Sequence, residues 1–180
     1  MTNEYDFYKL NNVFPLDSVS KKINQRISQA MDIAETSNFS TFKLGAIIEV
    51  KGKIFVAPNL YTKKTTILKE CSFPNSLSTP QAVNKYIERS NSLHAEVNAM
   101  LKVLKENAKI KYNKKNNLST STLYVVRLMK DTKNLPSHRK YKLGNSKPCS
   151  ECQSYLYRYG ISKIYYIDDN ENLCELRIVN

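Results

Sequence analysis

A histidine, a glutamate and two cysteines form the most chemically informative pattern in the sequence. Only one residue separates His94 from Glu96, and the later segment Pro148-Cys149-Ser150-Glu151-Cys152 supplies two thiols three positions apart. On a helix, residues three apart share a face, so Cys149 and Cys152 can hold one ion. A catalytic zinc site takes three protein ligands and leaves its fourth position for water. The pattern predicts zinc held by His94, Cys149 and Cys152, with Glu96 left to move protons.

Two helix starts are expected to bring these residues together. Pro148 suits the first position of a helix, where its missing N–H is not needed. The positive end of that helix dipole favours thiolates. His94 opens a stretch with apolar residues at helical spacing, namely Val97, Met100, Leu101 and Leu104. The metal site is expected where these two starts meet.

Other uses of a Cys-x-x-Cys pair have to be weighed. Such a pair also occurs in redox-active proteins and as half of a structural zinc site. A structural site normally needs four ligands, and the sequence contains no second Cys-x-x-Cys pair. Of the other two cysteines, Cys174 is predicted to be a buried strand residue and Cys71 a free thiol in a loop. Two cysteines assigned to metal indicate a reducing, cytoplasmic setting.

Size and charge restrict the partners that the chain is expected to have. Its 180 residues fit one domain, and neither a secretory leader nor a long apolar run is evident, so no membrane span is expected. Lys and Arg outnumber Asp and Glu by 28 to 16, which gives a formal charge of +12. That excess favours an anionic partner, either a nucleotide phosphate or a nucleic-acid backbone. The alternative is a basic composition spread over a solvated surface.

Apolar periodicity predicts the element order α-β-β-α-β-α-β-β after an irregular N-terminal arm at residues 1–17. The predicted elements are a helix from Ser18 or Ser20 to about Ser37, strands at 44–50 and 54–57, a short helix at 79–88, the His94 helix to about 107, a strand at 122–129, a Cys149 helix that stops at Gly160, and strands at 164–167 and 173–179. Crossover helices predict an α/β fold, a three-layer α/β/α sandwich around a mixed five-stranded sheet. The connection at 168–171 is too short for a helix, so the last two strands are expected to pair antiparallel.

These elements and motifs resemble the zinc-dependent cytidine/deoxycytidylate deaminase superfamily from about residue 18 to the end of the chain. The matching residues are Lys43-Leu44-Gly45-Ala46, Asn59, His94-Ala95-Glu96-Val97-Asn98-Ala99 and Pro148-Cys149-Ser150-Glu151-Cys152. The resemblance implies a cytidine deaminase-like fold, a homo-oligomer, and hydrolysis at C4 of a cytosine ring in cytidine, deoxycytidine or their monophosphates. Glu96 would carry protons from water to the ring nitrogen and the departing ammonia.

The same resemblance implies three substrate contacts. Asn59 would bind the sugar, although a residue that follows Pro58 is also typical of a turn. The backbone amide of Ala95 and the backbone carbonyl of Lys147 would recognise the polar edge of the base. At these two positions only the main chain would matter.

The spacing of the metal motifs departs from most members of that superfamily. His94 and Cys149 lie 55 positions apart, and the excess falls in basic insertions at 109–117 and 130–147 of a single deaminase domain at 18–180. The second insertion leads into the metal motif, so its charge would bind a phosphate near the pocket or simply face solvent.

Three functions are compatible with these features. The first is a deaminase of a small cytosine nucleotide or nucleoside. The alternative is a polynucleotide deaminase that acts on cytosine or adenine in single-stranded DNA or RNA, for which Tyr61, Tyr86 and Tyr141 are candidate stacking residues. The third is a scaffold without activity, against which the retention of Glu96 and all three metal ligands argues.

Overall fold

The computed structural model describes residues 7–61, 92–109, 118, 120–130 and 141–179, except for the side chains of 107–109. Its elements are β1 (Tyr8–Phe14), a 3-10 turn (Leu16–Ser18), α1 (Lys21–Glu35), β2 (Phe42–Val50), β3 (Lys53–Pro58), β4 (Leu60–Tyr61), β5 (Ser92–Leu93), α2 (Ala95–Lys109), β6 (Thr122–Lys130), β7 (Tyr141–Gly144), α3 (Ser150–Arg158), β8 (Lys163–Ile167) and β9 (Leu173–Ile178). The predicted helix at 79–88, Cys71 and Tyr86 lie outside the described residues.

The main sheet has seven strands, in the order β1-β9-β8-β6-β2-β3, and β7 pairs with β6 beside this path. Among the described strands, β6 and β8 form the one parallel pair, and α3 lies in the connection between them. The predicted antiparallel pairing of the last two strands is confirmed, with Ile164 opposite Leu176. Strands β4 and β5 form a separate two-stranded ladder.

Helices cover both faces of this sheet, as predicted. Successive side chains of a strand point to opposite faces, and β6 divides its apolar residues accordingly. Tyr124 and Val126 pack with Ile27 of α1, whereas Leu123 and Val125 share a cluster with residues of α2 and α3. The three-layer α/β/α arrangement is therefore confirmed, although the sheet contains β1 and β7 in addition to the five expected strands.

The expected irregular arm at 1–17 is wrong for residues 8–14, which form β1 and pair antiparallel with β9. Tyr8 is the buried residue of this strand, and its Oη donates a 2.7 Å hydrogen bond to the Ile161 carbonyl. Leu10 and Val13 are 56% and 50% exposed. An edge strand with most of its side chains in solvent lacks the apolar alternation that would reveal it in the sequence.

The expected loop at 130–147 is interrupted by β7. This strand closes a hairpin with β6 in which Tyr141 lies opposite Lys130 and Gly144 opposite Arg127. Four residues are too few to show periodicity, which is why the strand was not predicted. Within the first expected insertion, 109–117, Lys109 is still the last residue of α2.

Local sequence explains where α1 and α3 begin and end. Ser20 caps α1, since its hydroxyl accepts a hydrogen bond from the Ile23 amide. Gly160 has φ +78° immediately after α3, as expected for a helix that stops at glycine. Gly45 of β2 lets α1 approach the sheet, because a Cβ there would overlap the Ala30 carbonyl oxygen. None of the described helices is long and apolar enough to cross a membrane.

Candidate metal centre

His94 is positioned by the short β4–β5 ladder and by the first turn of α2. Leu93 pairs with Leu60, and the His94 carbonyl accepts a 2.9 Å hydrogen bond from the Asn98 amide at the start of the helix. The Asn98 side chain donates to the Pro58 carbonyl at 2.9 Å. This hydrogen bond holds the N-terminus of α2 over the end of β3.

The two cysteines are positioned by α3 and by the segment that precedes it. Ser146 is buried, and its hydroxyl donates to the Val125 carbonyl of β6 and accepts from the Ile167 amide of β8, both at 2.8 Å. The Gln153 side chain donates to the Pro148 carbonyl at 2.7 Å. These contacts fix the chain on both sides of Cys149.

Pro148 does not occupy the first position of the helix, contrary to the sequence prediction. Cys149 is the N-cap residue with φ −64° and ψ 165°, and α3 begins at Ser150. The extended conformation of Cys149 places Pro148 before the cap. A proline also restrains its preceding neighbour to extended backbone, so Pro148 still stiffens the approach to the cysteines.

The three predicted metal ligands are brought together. The His94 Nδ1 lies 3.6 Å from Cys149 Sγ and 3.3 Å from Cys152 Sγ, and all three ligand atoms lie within 4.8 Å of one another. Ligand atoms of a tetrahedral zinc site with ordinary bond lengths lie roughly 3.5–3.8 Å apart. The donor set and its approximate spacing therefore fit zinc.

Electrostatics around the two sulfurs favour a cation. Hydrogen bonding from the Cys152 thiol lowers the pKa of Cys149 to about 5, and the neighbouring His94 acts in the same direction. That interaction with Cys149, together with burial, raises the pKa of Cys152. The hydrogen bond with Cys149 also raises the pKa of His94. Cys149 is thus the sulfur that deprotonates more readily, and a divalent cation would require both sulfurs as thiolates.

Glu96 lies on the first turn of α2 and is only 2% exposed. Its Oε2 atom is buried and has no hydrogen-bond partner in the part of the chain that the structure describes. Burial raises the pKa of this carboxyl to about 7, and the nearby His94 opposes the shift. A buried carboxyl oxygen without a partner is costly. This cost is explained if the oxygen is reserved for a ligand in the adjacent space.

Asn59 is held at the same end of the sheet. It is 2% exposed, and its Oδ1 accepts a 2.7 Å hydrogen bond from the Leu44 amide, while the Asn59 amide donates to the Leu44 carbonyl at 2.9 Å. The Ser37 hydroxyl donates to the Asn59 carbonyl at 2.8 Å. Asn59 is therefore locked by its acceptor side, and its Nδ2 group has no acceptor among the residues that the structure describes.

The other two predicted contacts are main-chain groups beside the ligands. Ala95 is completely buried as the first residue of α2, where helix amides have no partner within the helix. Lys147 lies between Ser146 and Pro148 with an exposed side chain. The side chain of Lys147 is thus in solvent, although its main chain lies only two residues before Cys149.

Two residues at this end of the sheet were missed by sequence reasoning. Ser146 gave no signal, because its role depends on strands that are distant in the sequence. Arg127 did give one, since it is a single charge within the apolar run of β6. Its side chain is half-buried with the guanidinium Cζ 5.0 Å from the centre of the Phe42 ring.

Comparisons with known proteins identify one family and two similar solved structures. The model of the family described as "Cytidine and deoxycytidylate deaminase zinc-binding region" matches residues 20–168. The crystal structure of cytidine deaminase from Burkholderia pseudomallei is 15% identical, with a TM-score of 0.50 over 88% of this chain and 93% of that chain. A dCMP deaminase from the cyanophage S-TIM5 in apo form is 19% identical, with a TM-score of 0.46 over 85% and 88%. A comparison with curated proteins gives no match.

Proposed function

The chain belongs to the cytidine and deoxycytidylate deaminase zinc-binding family. From that premise we propose that it removes, by hydrolysis, the amino group from the base of a cytosine nucleotide or nucleoside. The observation that carries this proposal is the buried carboxyl of Glu96, which has an unpartnered oxygen beside the group formed by His94, Cys149 and Cys152. A zinc site of that composition needs an adjacent proton carrier for hydrolysis. Glu96 is suitably positioned in the first turn of α2, two residues after His94.

The metal is assigned to the three clustered residues. His94, Cys149 and Cys152 would hold zinc, which when bound lowers the pKa of water and acts as a Lewis acid. Cys149 at the N-cap of α3 lies at the positive end of the helix dipole, which favours its thiolate. Two thiolates leave the site nearly neutral, so the carboxylate of Glu96 is free to accept a proton.

Glu96 is proposed to move the protons of the reaction. Its Oε2 would take a proton from the attacking water, deliver it to the ring nitrogen of the cytosine, and then assist the departure of ammonia. Burial keeps the pKa of the carboxyl near neutrality, and a general acid–base group works best when its pKa lies near the working pH. The complete burial of Ala95 and the low exposure of Glu96 also limit the access of bulk water.

Three further groups are proposed to orient the substrate. Because the Asn59 Oδ1 is already bonded to the Leu44 amide, its Nδ2 group would donate to a sugar hydroxyl. The amide of Ala95 would donate to the base, and the carbonyl of Lys147 would accept from the exocyclic amine. All three belong to segments that the hydrogen bonds of Asn98 and Ser146 anchor to the sheet.

Turnover of small substrates tests this proposal directly. The zinc-loaded protein is incubated with cytidine, deoxycytidine and their 5′-monophosphates, and the uracil products are separated and quantified. We expect conversion of at least one substrate, and the Glu96→Ala protein should convert none while it keeps zinc. Failure of the wild-type, zinc-loaded protein on all four substrates would end the proposal.

A polynucleotide substrate is the second candidate, and a row of side chains favours it. Tyr61 is 63% exposed and lies edge-on to Phe39 at 6.1 Å between ring centres, and Phe39 stacks on Phe42 at 5.1 Å. Arg127 continues the row beyond Phe42. Aromatic rings beside cations are typical of single-strand binding. Deamination of a labelled oligonucleotide, with affinity that falls as salt rises, would support this candidate, whereas binding that ignores salt would exclude it.

Assembly, domain extent and location are proposals as well. A homo-oligomer is supported by the family resemblance, and sedimentation equilibrium of the purified protein tests it. The single deaminase domain expected at 18–180 is supported by the main sheet, which joins β2, β3, β6, β7, β8 and β9, and β1 extends the same sheet to residue 8; limited proteolysis tests the extent of the domain. A cytoplasmic location is supported by the use of reduced cysteines as ligands, and cell fractionation tests it.

A further inference from the structure

Arg127 faces the layer that contains the metal centre. Its neighbours Val126 and Leu128 pack on the α1 side of the sheet. Leu123 and Val125 pack on the α2 and α3 side, and strand alternation places Arg127 with that second set. Arg127 therefore lies in the same row of β6 side chains as Leu123 and Val125, on the face of the sheet that is covered by α2 and α3.

The strand register places Arg127 at the same end of that layer as the predicted site residues. On one side it lies opposite Leu44, the residue whose amide and carbonyl both bond Asn59. On the other side it lies opposite Gly144, five residues before Cys149. Arg127 thus lies between β2, whose Leu44 bonds Asn59, and β7, which leads to Cys149.

The guanidinium of Arg127 is supported on one face but has no hydrogen-bond acceptor in the part of the chain that the structure describes. Its Cζ lies over the Phe42 ring, which supplies a favourable contact for the charge. The buried Nε has no hydrogen-bond partner, and no carboxylate pairs with Arg127 within residues 7–61, 92–109, 118, 120–130 and 141–179. A buried donor without an acceptor is disfavoured, so the arrangement is suited to a ligand that brings its own anionic oxygens.

We propose that Arg127 binds the phosphate group of the substrate and makes the protein a deaminase of nucleotides in preference to nucleosides. This inference rests on the proposed deaminase function. A guanidinium forms paired hydrogen bonds with phosphate oxygens, which a lysine ammonium cannot reproduce. The ring of Phe42 holds the guanidinium plane, so less side-chain freedom is lost when the phosphate binds. Arg127 could make the same contact with the phosphate of a nucleoside monophosphate or with a phosphodiester of a nucleic-acid strand. The experiment below distinguishes these two ligands.

Substrate selectivity of charge variants tests the inference. The values of kcat and KM are measured for zinc-loaded wild type, Arg127→Gln and Arg127→Lys on deoxycytidine, its 5′-monophosphate and a short oligonucleotide with one cytosine. For the substrate whose phosphate Arg127 binds, kcat/KM should fall about 10- to 100-fold in Arg127→Gln. The value for deoxycytidine should stay within about twofold, and Arg127→Lys should be intermediate.

A matched control separates this contact from a general effect of charge. Arg158 in the last turn of α3 is exposed and lies at the opposite end of that helix from Cys149. Arg158→Gln removes the same charge and should leave all three kcat/KM values unchanged. A loss on the monophosphate alone identifies a nucleotide enzyme, and a loss on the oligonucleotide alone identifies the phosphodiester as the ligand.

Some outcomes would overturn the inference. An equal loss of kcat/KM on deoxycytidine and on its monophosphate would mean that Arg127 only supports Phe42. A wild type that does not prefer phosphorylated substrates would exclude a phosphate contact. Calorimetry of substrate binding to the zinc-loaded protein distinguishes failure of the phosphate-binding inference from failure of the deaminase proposal. If no substrate is deaminated but Arg127→Gln abolishes tighter binding of the monophosphate, the phosphate site stands and the deaminase proposal fails.

Discussion

Two glutamates in this protein are equally buried and have opposite surroundings. Glu96 is 2% exposed and Glu175 is 3% exposed. On β9, Glu175 receives 2.8 Å hydrogen bonds from the Asn11 side chain and the Tyr165 hydroxyl, and the Arg177 guanidinium also donates to it. Glu96 has one carboxyl oxygen without any partner among the residues that the structure describes.

The comparison shows that hydrogen-bond neighbours decide whether burial prevails in setting the pKa of each carboxyl. Burial raises the pKa of both, and in Glu96 this effect prevails. In Glu175 the hydrogen bonds from Arg177 and Tyr165 outweigh burial and lower the pKa. A carboxyl with every oxygen paired is suited to holding strands together. One with an unpaired oxygen beside a metal site is suited to chemistry, at some cost in stability.

The largest effect is expected from removal of the metal beside which Glu96 is proposed to act. Cys149→Ala should lose zinc, turnover and the stability that bound metal adds, which is about 4 kcal/mol when free zinc is 1,000 times its Kd. Metal content and thermal unfolding with and without zinc measure this. Cys174→Ala removes a buried cysteine of β9 that lies outside the group formed by His94, Cys149 and Cys152. It should retain zinc, and equal metal loss in both variants would contradict the assignment.

The next largest effect concerns the carboxyl itself. Glu96→Gln keeps the shape of the side chain but cannot accept a proton, so kcat should fall about 10²- to 10⁴-fold with zinc retained. Glu175→Gln is the matched control because the two residues are equally buried, and it should keep wild-type turnover. A comparable loss of kcat in both variants would contradict the proposal that Glu96, and not Glu175, moves protons in the reaction.

For the free energy of unfolding, the larger effect is expected at Glu175 and the smaller at Glu96. Glu175→Gln removes a charged acceptor from three donors, and the free energy of unfolding should fall by about 1–3 kcal/mol. Glu96→Gln should lower the stability of the zinc-free protein by less, since its Oε2 loses no hydrogen bond. Urea unfolding of both zinc-free variants measures the two changes, and a greater loss in Glu96→Gln would reverse the interpretation.

The smallest effect is a difference in acid sensitivity. The folded-state pKa of Glu175 lies below its ordinary value of 4.5, so the folded protein binds this proton more weakly than the unfolded chain. Its stabilisation is complete above pH 4.5 and is lost as the pH falls through the folded-state pKa. The stability gap between wild type and Glu175→Gln should therefore shrink below that pH. A gap that widens in acid would contradict the sign of the shift.

Local patterns were sufficient to predict that His94, Cys149 and Cys152 come together, and to predict most of the elements. The three residues come from two short segments at helix starts, and each segment has a characteristic composition, so their meeting could be expected. The α1 and α3 boundaries depend on nearby groups such as Ser20 and Gly160. The prediction that Pro148 is the first residue of the helix was wrong by two residues, because the sequence does not show that Cys149 adopts the extended cap conformation.

Features that depend on distant partners were not predictable. Strand β1 has mostly exposed side chains, and only its pairing with β9 makes it a strand. The role of Glu175 requires Asn11, which is 164 positions away. Arg127 and Ser146 likewise acquire their surroundings from strands that the sequence does not place side by side.

The hairpin of β6 and β7 has a consequence for how the chain tolerates change in length. Lys130 and Tyr141 face each other across this hairpin, so the ten intervening residues begin and end at one fixed pair. The path from Gly144 to Cys149 therefore has the same length whatever number of residues joins the two strands. Insertions or deletions between Lys130 and Tyr141 are thus expected to leave the relative positions of Cys149 and Cys152 unchanged.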